Sequence, residues 1–341
     1  MKIGKIEINA ENPLVIPEIG INHGGSLDVA KKMLSAAARA GAKIIKHQTH
    51  IVEDEMCAIA KTISPGNSSD SIYEIMSRCA LSEGEEREMM DYCQDLGMVF
   101  LSTPFSRAAA DRLEKFGVIA YKIGSGELNN FPLIDHIAQF GKPMILSTGM
   151  NNIHAVKKAV SILKKRKVSY ALLHTTNLYP TQSHQVRLGA MQELKENFPN
   201  CPIGLSDHTS NNLAAYAALA LGAQIVERHF TDTKLRKGPD IVCSMDEADL
   251  TELLSAAKTI PKMLGGHKEA LQEEQVTINF AYASVVSIKA IKAGEVFTKD
   301  NLWVKRPGTG DFLAEDYENL LGKRASRDIA FDVQIKKEMV K

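Results

Sequence analysis

The sequence is poor in cysteine, has no long apolar run and carries no excess of either charge. Lys+Arg and Asp+Glu each total 41, so the basic excess typical of nucleic-acid or membrane-surface proteins is missing. No stretch approaches the roughly 18 apolar residues of a membrane span, and the N-terminus lacks the apolar core of a signal peptide. The scattered cysteines argue against a disulfide framework or a zinc cluster and predict a reduced, cytoplasmic protein: Cys57, Cys79, Cys93, Cys201 and Cys243.

What remains is an ordinary globular composition. Hydrophobic residues make up 44% and charged residues 24% of the 341 positions, which argues against disorder. That length suits one barrel-sized domain followed by a small domain. The pattern predicts a barrel over residues 1–265, a linker over 266–283 and a compact β-rich domain over 284–341, where Lys-Ala-Gly-Glu and Arg-Pro-Gly turns interrupt short β-like pieces.

The first 265 residues alternate short apolar runs with longer amphipathic stretches. Strands that alternate with helices indicate a parallel sheet. Eight strands over about 250 residues fit a (β/α)8 TIM barrel in number and in size, and a doubly wound open sheet is the alternative. The predicted strands are residues 14–20, 43–48, 98–102, 119–124, 143–148, 170–175, 202–206 and 224–229.

Polar side chains gather at the C-terminal ends of these strands, which in a barrel is the active-site face. A polar group that ends nearly every strand is hard to assign to packing. The group comprises Glu18, Lys46, Thr103, Lys122, Ser147, Asn177, Ser206, Asp207, His208, Glu227 and His229.

Two histidines, His208 and His229, end the predicted seventh and eighth strands, which a barrel makes neighbours. Two imidazoles with open positions for substrate oxygens suit a divalent ion such as Mn2+, with Mg2+ or Co2+ as alternatives. A purely structural hydrogen-bonding role is the competing interpretation. No third protein ligand is obvious, although Glu227, Asp207 and Asp240 are near in sequence.

Two lysines, Lys46 and Lys122, end the second and fourth strands. A lysine at a barrel mouth either neutralises an anion or forms a Schiff base. Ser125 and Ser147 lie in Ser/Gly turns that can offer phosphate donors or simply cap helices. Glu18 could act as an acid or base, bind a polyol, or pair with a mouth lysine. Together these residues predict a phosphorylated, anionic substrate.

The same segments resemble the bacterial sialic acid synthases (the N-acetylneuraminate synthase family). The resemblance covers essentially the whole chain, including residues 303–308 (WVKRPG), which are similar to the C-terminal antifreeze-like (SAF) domain of these enzymes. The segments that carry it are 17–26 (PEIGINHGGS), 46–50 (KHQTH), 101–105 (LSTPF), 122–127 (KIGSGE), 146–150 (LSTGM), 177–181 (NLYPT), 204–209 (GLSDHT), 227–231 (ERHFT) and 238–240 (GPD).

This resemblance implies a metal-dependent condensation of phosphoenolpyruvate with N-acetylmannosamine and water, giving N-acetylneuraminate and phosphate. It places the metal on His208 and His229, and the sugar's N-acetyl group against Arg306 of a partner copy in a domain-swapped homodimer. It also implies that the lysines stabilise charge, because phosphoenolpyruvate is itself nucleophilic at C3. The implied phosphoenolpyruvate contacts are Lys46, Thr103, Lys122, Ser125, Ser147, Asn177 and Ser206, and the implied sugar contacts are Glu18, Gln48, Tyr179, Glu227 and Asp240.

Alternatives remain open at the level of sequence. The acceptor could be a sugar used for legionaminic or pseudaminic acid, or a 6-phosphorylated N-acetylmannosamine. The C-terminal domain alone would suggest a sugar-binding or ice-binding protein, and the barrel a metal hydrolase, which normally shows more ligating His and Asp residues. The basic stretch of residues 233–237 before Asp240 either binds a more acidic sugar or is solvated.

Overall fold

The computed structural model describes residues 1–65 and 70–341. The chain divides into two compact units, Met1–Gly265 and Gly266–Lys341.

The first unit is a closed barrel of eight parallel strands within the described residues, with helices following the strands. The last strand pairs with the first, so that Ile225 lies opposite Leu14 and His229 opposite Glu18. The predicted (β/α)8 barrel is therefore confirmed, and the open doubly wound sheet is excluded because the ring has no free edge. The barrel strands are β3 Leu14–Gly20, β4 Ile44–Thr49, β5 Val99–Pro104, β6 Tyr121–Ile123, β7 Met144–Ser147, β8 Tyr170–Thr175, β9 Ile203–Asp207 and β10 Ile225–His229.

Several helices of the barrel have local signals that start and stop them. In the first, the Ser26 hydroxyl accepts from the Val29 amide, and Gly41 ends the helix with a φ of 96°, which favours glycine. The helices of this unit are α1 Leu27–Ala40, α2 Val52–Glu55, α3 Ile72–Cys79, α4 Glu83–Asp95, α5 Arg107–Phe116, α6 Phe131–Ala138, α7 Ile153–Lys165, α8 Leu188–Asn197, α9 Leu213–Ala220 and α10 Glu247–Thr259.

The barrel has an outer and an inner core. Outward-facing strand residues such as Val15 and Leu146 pack against the helices. Inside the ring, Ile16, Ile44 and other apolar side chains form a separate floor layer near the N-terminal ends of the strands. A short antiparallel hairpin, β1 Lys2–Ile3 and β2 Ile6–Glu7, adds Ile3 to that layer. The sequence pattern carries no sign of this hairpin, because each of its strands has only two residues.

The second unit has its own small core. Strands β11 Ser284–Ser287 and β12 Leu302–Lys305 pair antiparallel, and Val285 and Leu302 pack with a short helix, α12 Tyr317–Leu320. The segment predicted as a linker also holds a helix, α11 Gln275–Ala281. This helix is anchored because the Gly308 amide donates to the Asn279 carbonyl at 2.8 Å. The loss of apolar periodicity marks a surface helix there, and the segment is not without structure.

The helices of the described residues include no candidate membrane-spanning segment. Within residues 1–65 and 70–341, none of them combines the length and the apolar character that crossing a bilayer requires.

Candidate active site

The alternation of the strands builds the site. Side chains on a strand point alternately to its two faces, so positions two apart share the barrel interior. Ile16 and Ile44 belong to the apolar floor, and the next inward positions are Glu18 and Lys46. The inner surface of these two strands therefore changes from apolar to ionic within one repeat.

These inward positions enclose a cavity of about 120 Å3 at the C-terminal ends of the strands. All the residues assigned to the site from the sequence line it, except Asp207, Asp240 and Arg306. Phe105 and Thr175 line it as well and were missed, although Thr175 ends a strand and so follows the same rule as its neighbours. The predicted lining residues are Glu18, Lys46, Gln48, Thr103, Lys122, Ser125, Ser147, Asn177, Tyr179, Ser206, His208, Glu227 and His229.

Lys46 lies between two carboxylates. Its Nζ is 2.8 Å from Glu18 Oε1 and donates to Glu227 Oε1 at 3.0 Å. Burial raises the pKa of Glu18, but Lys46 and His229 outweigh it, so the pKa of that carboxyl lies below its ordinary value. Burial likewise lowers the pKa of Lys46, and the two carboxylates raise it overall. Glu18 and Lys46 therefore hold each other in the charged state.

Lys122 is held less tightly. Its Nζ donates to Ser147 Oγ at 2.7 Å and to the Ile123 carbonyl at 3.0 Å, and lies 3.5 Å from Glu227 Oε1. Burial lowers the pKa of Lys122, and Glu227 raises it only in part. The resulting pKa is about 8. Two of the three N–H donors of Lys122 make these hydrogen bonds, so the third, which faces Glu227 at the longer distance, can turn to an additional anion.

Several polar atoms next to this lysine have no hydrogen-bond partner among the described residues. They include Thr103 Oγ1, Thr175 Oγ1 and Asn177 Oδ1, all buried. Ser125 Oγ accepts from the Gly149 amide at 3.0 Å. A Cβ at position 149 would overlap Asn177 Oδ1, so glycine is needed for this close approach. Buried polar groups are rarely left unsatisfied, and this cluster therefore indicates a place for a polar ligand.

The imidazoles of His208 and His229 lie side by side on neighbouring strands, with ring centroids 5.3 Å apart. Tyr179 stacks on His208 at 4.2 Å. Burial and the neighbouring His229 lower the pKa of His208 to about 3, so His208 is neutral near pH 7. Its Nδ1 is 2.9 Å from the Thr176 carbonyl, which leaves Nε2 as the free lone pair.

These two imidazoles fit a divalent transition ion whose other coordination positions are open to exchangeable oxygens. His229 Nδ1 has no hydrogen-bond partner in the described part of the chain and lies 3.9 Å from Asp240 Oδ2. A backbone carbonyl that orients His208 is the support that ligating histidines usually have. The described residues contain no group of three or more His, Cys, Asp or Glu side chains arranged around one ion. An ion here would therefore be bound through two imidazoles and exchangeable oxygens.

Asp207 is not a candidate ligand, because it points out of the barrel. Its Oδ1 accepts from the Thr209 amide at 2.9 Å, and its Oδ2 lies 3.1 Å from Arg228 Nε. Arg228 also donates to Asn212 Oδ1 and to the Thr209 carbonyl. Asp207 and Arg228 each precede one of the two histidines, so this buried ion pair ties their strands together behind the cavity.

The two remaining predicted residues lie outside the cavity lining. Asp240 borders His229, and burial raises the pKa of its carboxyl. Arg306 is exposed in the second unit, directly after β12. In the basic stretch, Lys234 pairs with Asp249 and Arg236 with Asp232. These two cations are thus neutralised by carboxylates of their own unit.

Comparisons with known proteins place this geometry in context. Residues 33–269 match the NeuB family and residues 282–341 match the SAF domain. The chain is 36% identical to N,N'-diacetyllegionaminic acid synthase of Campylobacter jejuni over 331 residues, covering 95% of this chain and 98% of the relative. It is 32% identical to N-acetylneuraminate-9-phosphate synthase of Homo sapiens over 338 residues, covering 98% and 94%. A solved sialic acid synthetase of Leptospira borgpetersenii, in complex with citrate, has a TM-score of 0.74 and 31% identity, covering 82% of this chain and 94% of that one.

Proposed function

The chain belongs to the NeuB family, and we propose that it condenses phosphoenolpyruvate with N-acetylmannosamine and water to give N-acetylneuraminate and phosphate. The observation that carries this proposal is the single cavity that joins two lysines and unpartnered polar atoms to a pair of imidazoles. One half of the cavity suits a phosphorylated carboxylate, and the other suits a polyhydroxy aldehyde.

The anion half binds phosphoenolpyruvate. Lys122 carries its proton near pH 7 and has an N–H donor available for an anion. The unpartnered Thr103 and Asn177 atoms offer further contacts. Ser125, Ser147 and Ser206 add hydroxyls on the same side, and Lys46 adds a second cation. Fixed cations in a water-poor site stabilise charge that develops on the carboxylate and phosphate.

The sugar half binds the open-chain acceptor. Glu18, Gln48, Tyr179 and Glu227 line it, and Asp240 borders it. C3 of phosphoenolpyruvate attacks the aldehyde carbon, water adds to the cationic C2, and phosphate leaves from the tetrahedral intermediate. Because Glu18 is held ionised by Lys46 and His229, it can accept a hydrogen bond from a sugar hydroxyl or from the attacking water.

His208 and His229 would hold a divalent ion, with Mn2+ as our first choice and Mg2+ or Co2+ as alternatives. Such an ion, when bound, polarises a carbonyl oxygen as a Lewis acid. The support for this assignment is the orientation of His208 by Thr176 and the unpartnered Nδ1 of His229.

A second copy of the chain completes the site in this proposal. Arg306 is exposed and makes no ion pair in the described part of the chain. We infer a domain-swapped homodimer in which Arg306 of one copy contacts the N-acetyl group of the sugar bound to its partner.

The exact acceptor is a matter for experiment, because the relatives include a legionaminic acid and a 9-phosphate synthase. The metal-stripped protein is mixed with phosphoenolpyruvate and N-acetylmannosamine, its 6-phosphate, or a 2,4-diacetamido sugar, and Mn2+ is restored. NMR then follows phosphate and the new nonulosonic acid. Equal amounts of phosphate and nonulosonic acid with N-acetylmannosamine support the proposal. A preference for another sugar would make that sugar the acceptor. No phosphoenolpyruvate consumption with any acceptor would overturn it.

A further inference from the structure

We propose that His50 is a positioning residue that fixes the orientation of the Gln48 amide and, through it, the Glu18 carboxylate. The inference deepens the proposed function, on which its kinetic test depends. His50 lies just beyond β4 and is absent from the cavity lining, but two successive polar contacts connect it to Glu18 in the cavity, and a third holds its other ring nitrogen.

The first contact is inside the site. Gln48 Nε2 donates to Glu18 Oε1 at 2.8 Å, which is the same oxygen that lies 2.8 Å from Lys46 Nζ. Since the Glu18 carboxylate can only accept, the amide must present its NH2 end to this residue. The carbonyl end of Gln48 therefore points away from the cavity.

The second contact satisfies that carbonyl. Gln48 Oε1 lies 3.1 Å from His50 Nε2, so this ring nitrogen must carry a hydrogen of its own, in addition to the proton that lies between Nδ1 and Glu55. An amide that turned over would place its NH2 against an N–H and its oxygen against a carboxylate. Both contacts would then be lost, and two buried groups would be left unsatisfied. His50 thus selects one of the two amide orientations.

The third contact holds the ring itself. His50 Nδ1 lies 2.7 Å from Glu55 Oε2, so one proton lies between them, and the ring stacks on Phe105 with centroids 4.4 Å apart. The side chain of His50 is only 1% exposed. Contacts at both nitrogens and on the ring face leave His50 a single orientation.

His50 acts by positioning the Gln48 amide, and the three side chains do not relay a proton. An amide has no readily exchanged proton to pass between His50 and Glu18, because Gln48 donates through nitrogen and accepts through oxygen. A change at His50 therefore acts on how Gln48 and Glu18 meet the sugar. It leaves the contacts of Lys122 and Ser147 in the anion half unchanged.

Two isosteric substitutions separate the two nitrogens. His50→Gln keeps an N–H close to the position of Nε2 and loses the donor to Glu55. His50→Asn keeps an N–H close to the position of Nδ1 and loses the donor to Gln48. Both variants remove the ring from Phe105, so any cost of lost packing is common to the pair.

The kinetic expectation is asymmetric. His50→Asn should raise the KM for the sugar about tenfold, as expected for a buried acceptor left without its donor. It should leave the Kd for phosphoenolpyruvate, measured without sugar, unchanged. His50→Gln should stay within about threefold of the parent protein for both constants. Equal losses in the two variants, or an equal effect on phosphoenolpyruvate, would overturn the proposal.

A second, spectroscopic arm of the test observes the Gln48 amide by NMR and does not depend on turnover. With 15N-glutamine labelling, the side-chain amide signal of Gln48 is identified by its loss in Gln48→Leu. That signal should stay in place in His50→Gln and shift in His50→Asn. If no sugar is turned over, the proposed function fails while this arm still decides the role of His50. An unshifted Gln48 signal in His50→Asn would contradict the role whatever the activity.

Discussion

Two layers of side chains inside the same barrel lie one strand repeat apart and have opposite characters. In the floor layer, Ile16, Ile44 and Ile225 are fully buried and apolar. In the mouth layer, the next inward positions on those strands are Glu18, Lys46 and Glu227, which are also almost fully buried. Burial alone therefore does not distinguish the two layers, although the chemical groups that they bury differ completely.

The two layers contribute differently to stability and to binding. Apolar burial stabilises the fold roughly in proportion to area. Buried charges are costly to desolvate and tolerable only when paired. The mouth ions persist because Lys46 contacts both carboxylates, so this layer is arranged for ligands at a cost to stability. Substitutions in the two layers should separate binding from folding.

The largest expected effect is on turnover at the imidazole pair. His208→Ala should lower kcat by about a thousandfold or more, since Lewis-acid stabilisation is worth several kcal/mol. Mn2+ affinity, measured by titration calorimetry, should fall with it. The control is His154→Ala, an exposed histidine on α7. Unchanged Mn2+ affinity in His208→Ala would remove this residue from the proposed metal site.

The next effect is on stability at the mouth. Lys46→Met leaves Glu18 and Glu227 without their shared cation and should lower the free energy of unfolding by about 3–5 kcal/mol. Urea denaturation measures this, with the exposed Lys31–Glu88 pair as a control. Lys31→Met should cost far less, because exposed ion pairs contribute little to stability. Similar costs for the two variants would show that the mouth ions are effectively solvated.

A smaller effect concerns the anion half. Lys122→Met should weaken phosphoenolpyruvate binding by about 1.5–3 kcal/mol near pH 7, the range for hydrogen bonds to charged groups. Because the pKa of Lys122 is lowered to about 8, affinity in the parent protein should fall as pH rises through about 8. Calorimetry without sugar should find no such fall in the variant. The same pH slope in both proteins would point to another group.

The smallest effect lies in the floor. Ile16→Val should lower the free energy of unfolding by about 0.5–1.5 kcal/mol. Phosphoenolpyruvate affinity should stay as in the parent, because the floor touches no ligand. An altered affinity would mean that the two layers are mechanically coupled, and the contrast between them would need revision.

Much of this architecture is predictable from sequence because strand alternation and helix caps are local signals. The polar strand ends locate the cavity, and Thr175 is missed only because its hydroxyl is unremarkable in sequence. Which way Asp207 points is not predictable, since that depends on Arg228 of the neighbouring strand. Pairing of Glu18 with a mouth lysine is one of the alternatives that the sequence leaves open. Glu227 as the second partner of Lys46 is not predictable, because the two residues lie 181 positions apart.

The closure between β3 and β10 has a consequence for synthesis of the chain. Glu18 leaves the ribosome early, and its strand partner at position 229 leaves only after the other barrel strands. An unfinished chain thus carries the lysines of the anion half without the histidines opposite them. The barrel's part of the proposed site is therefore complete only after the last strand has closed the ring, and Arg306, which lies further along the chain, is made later still.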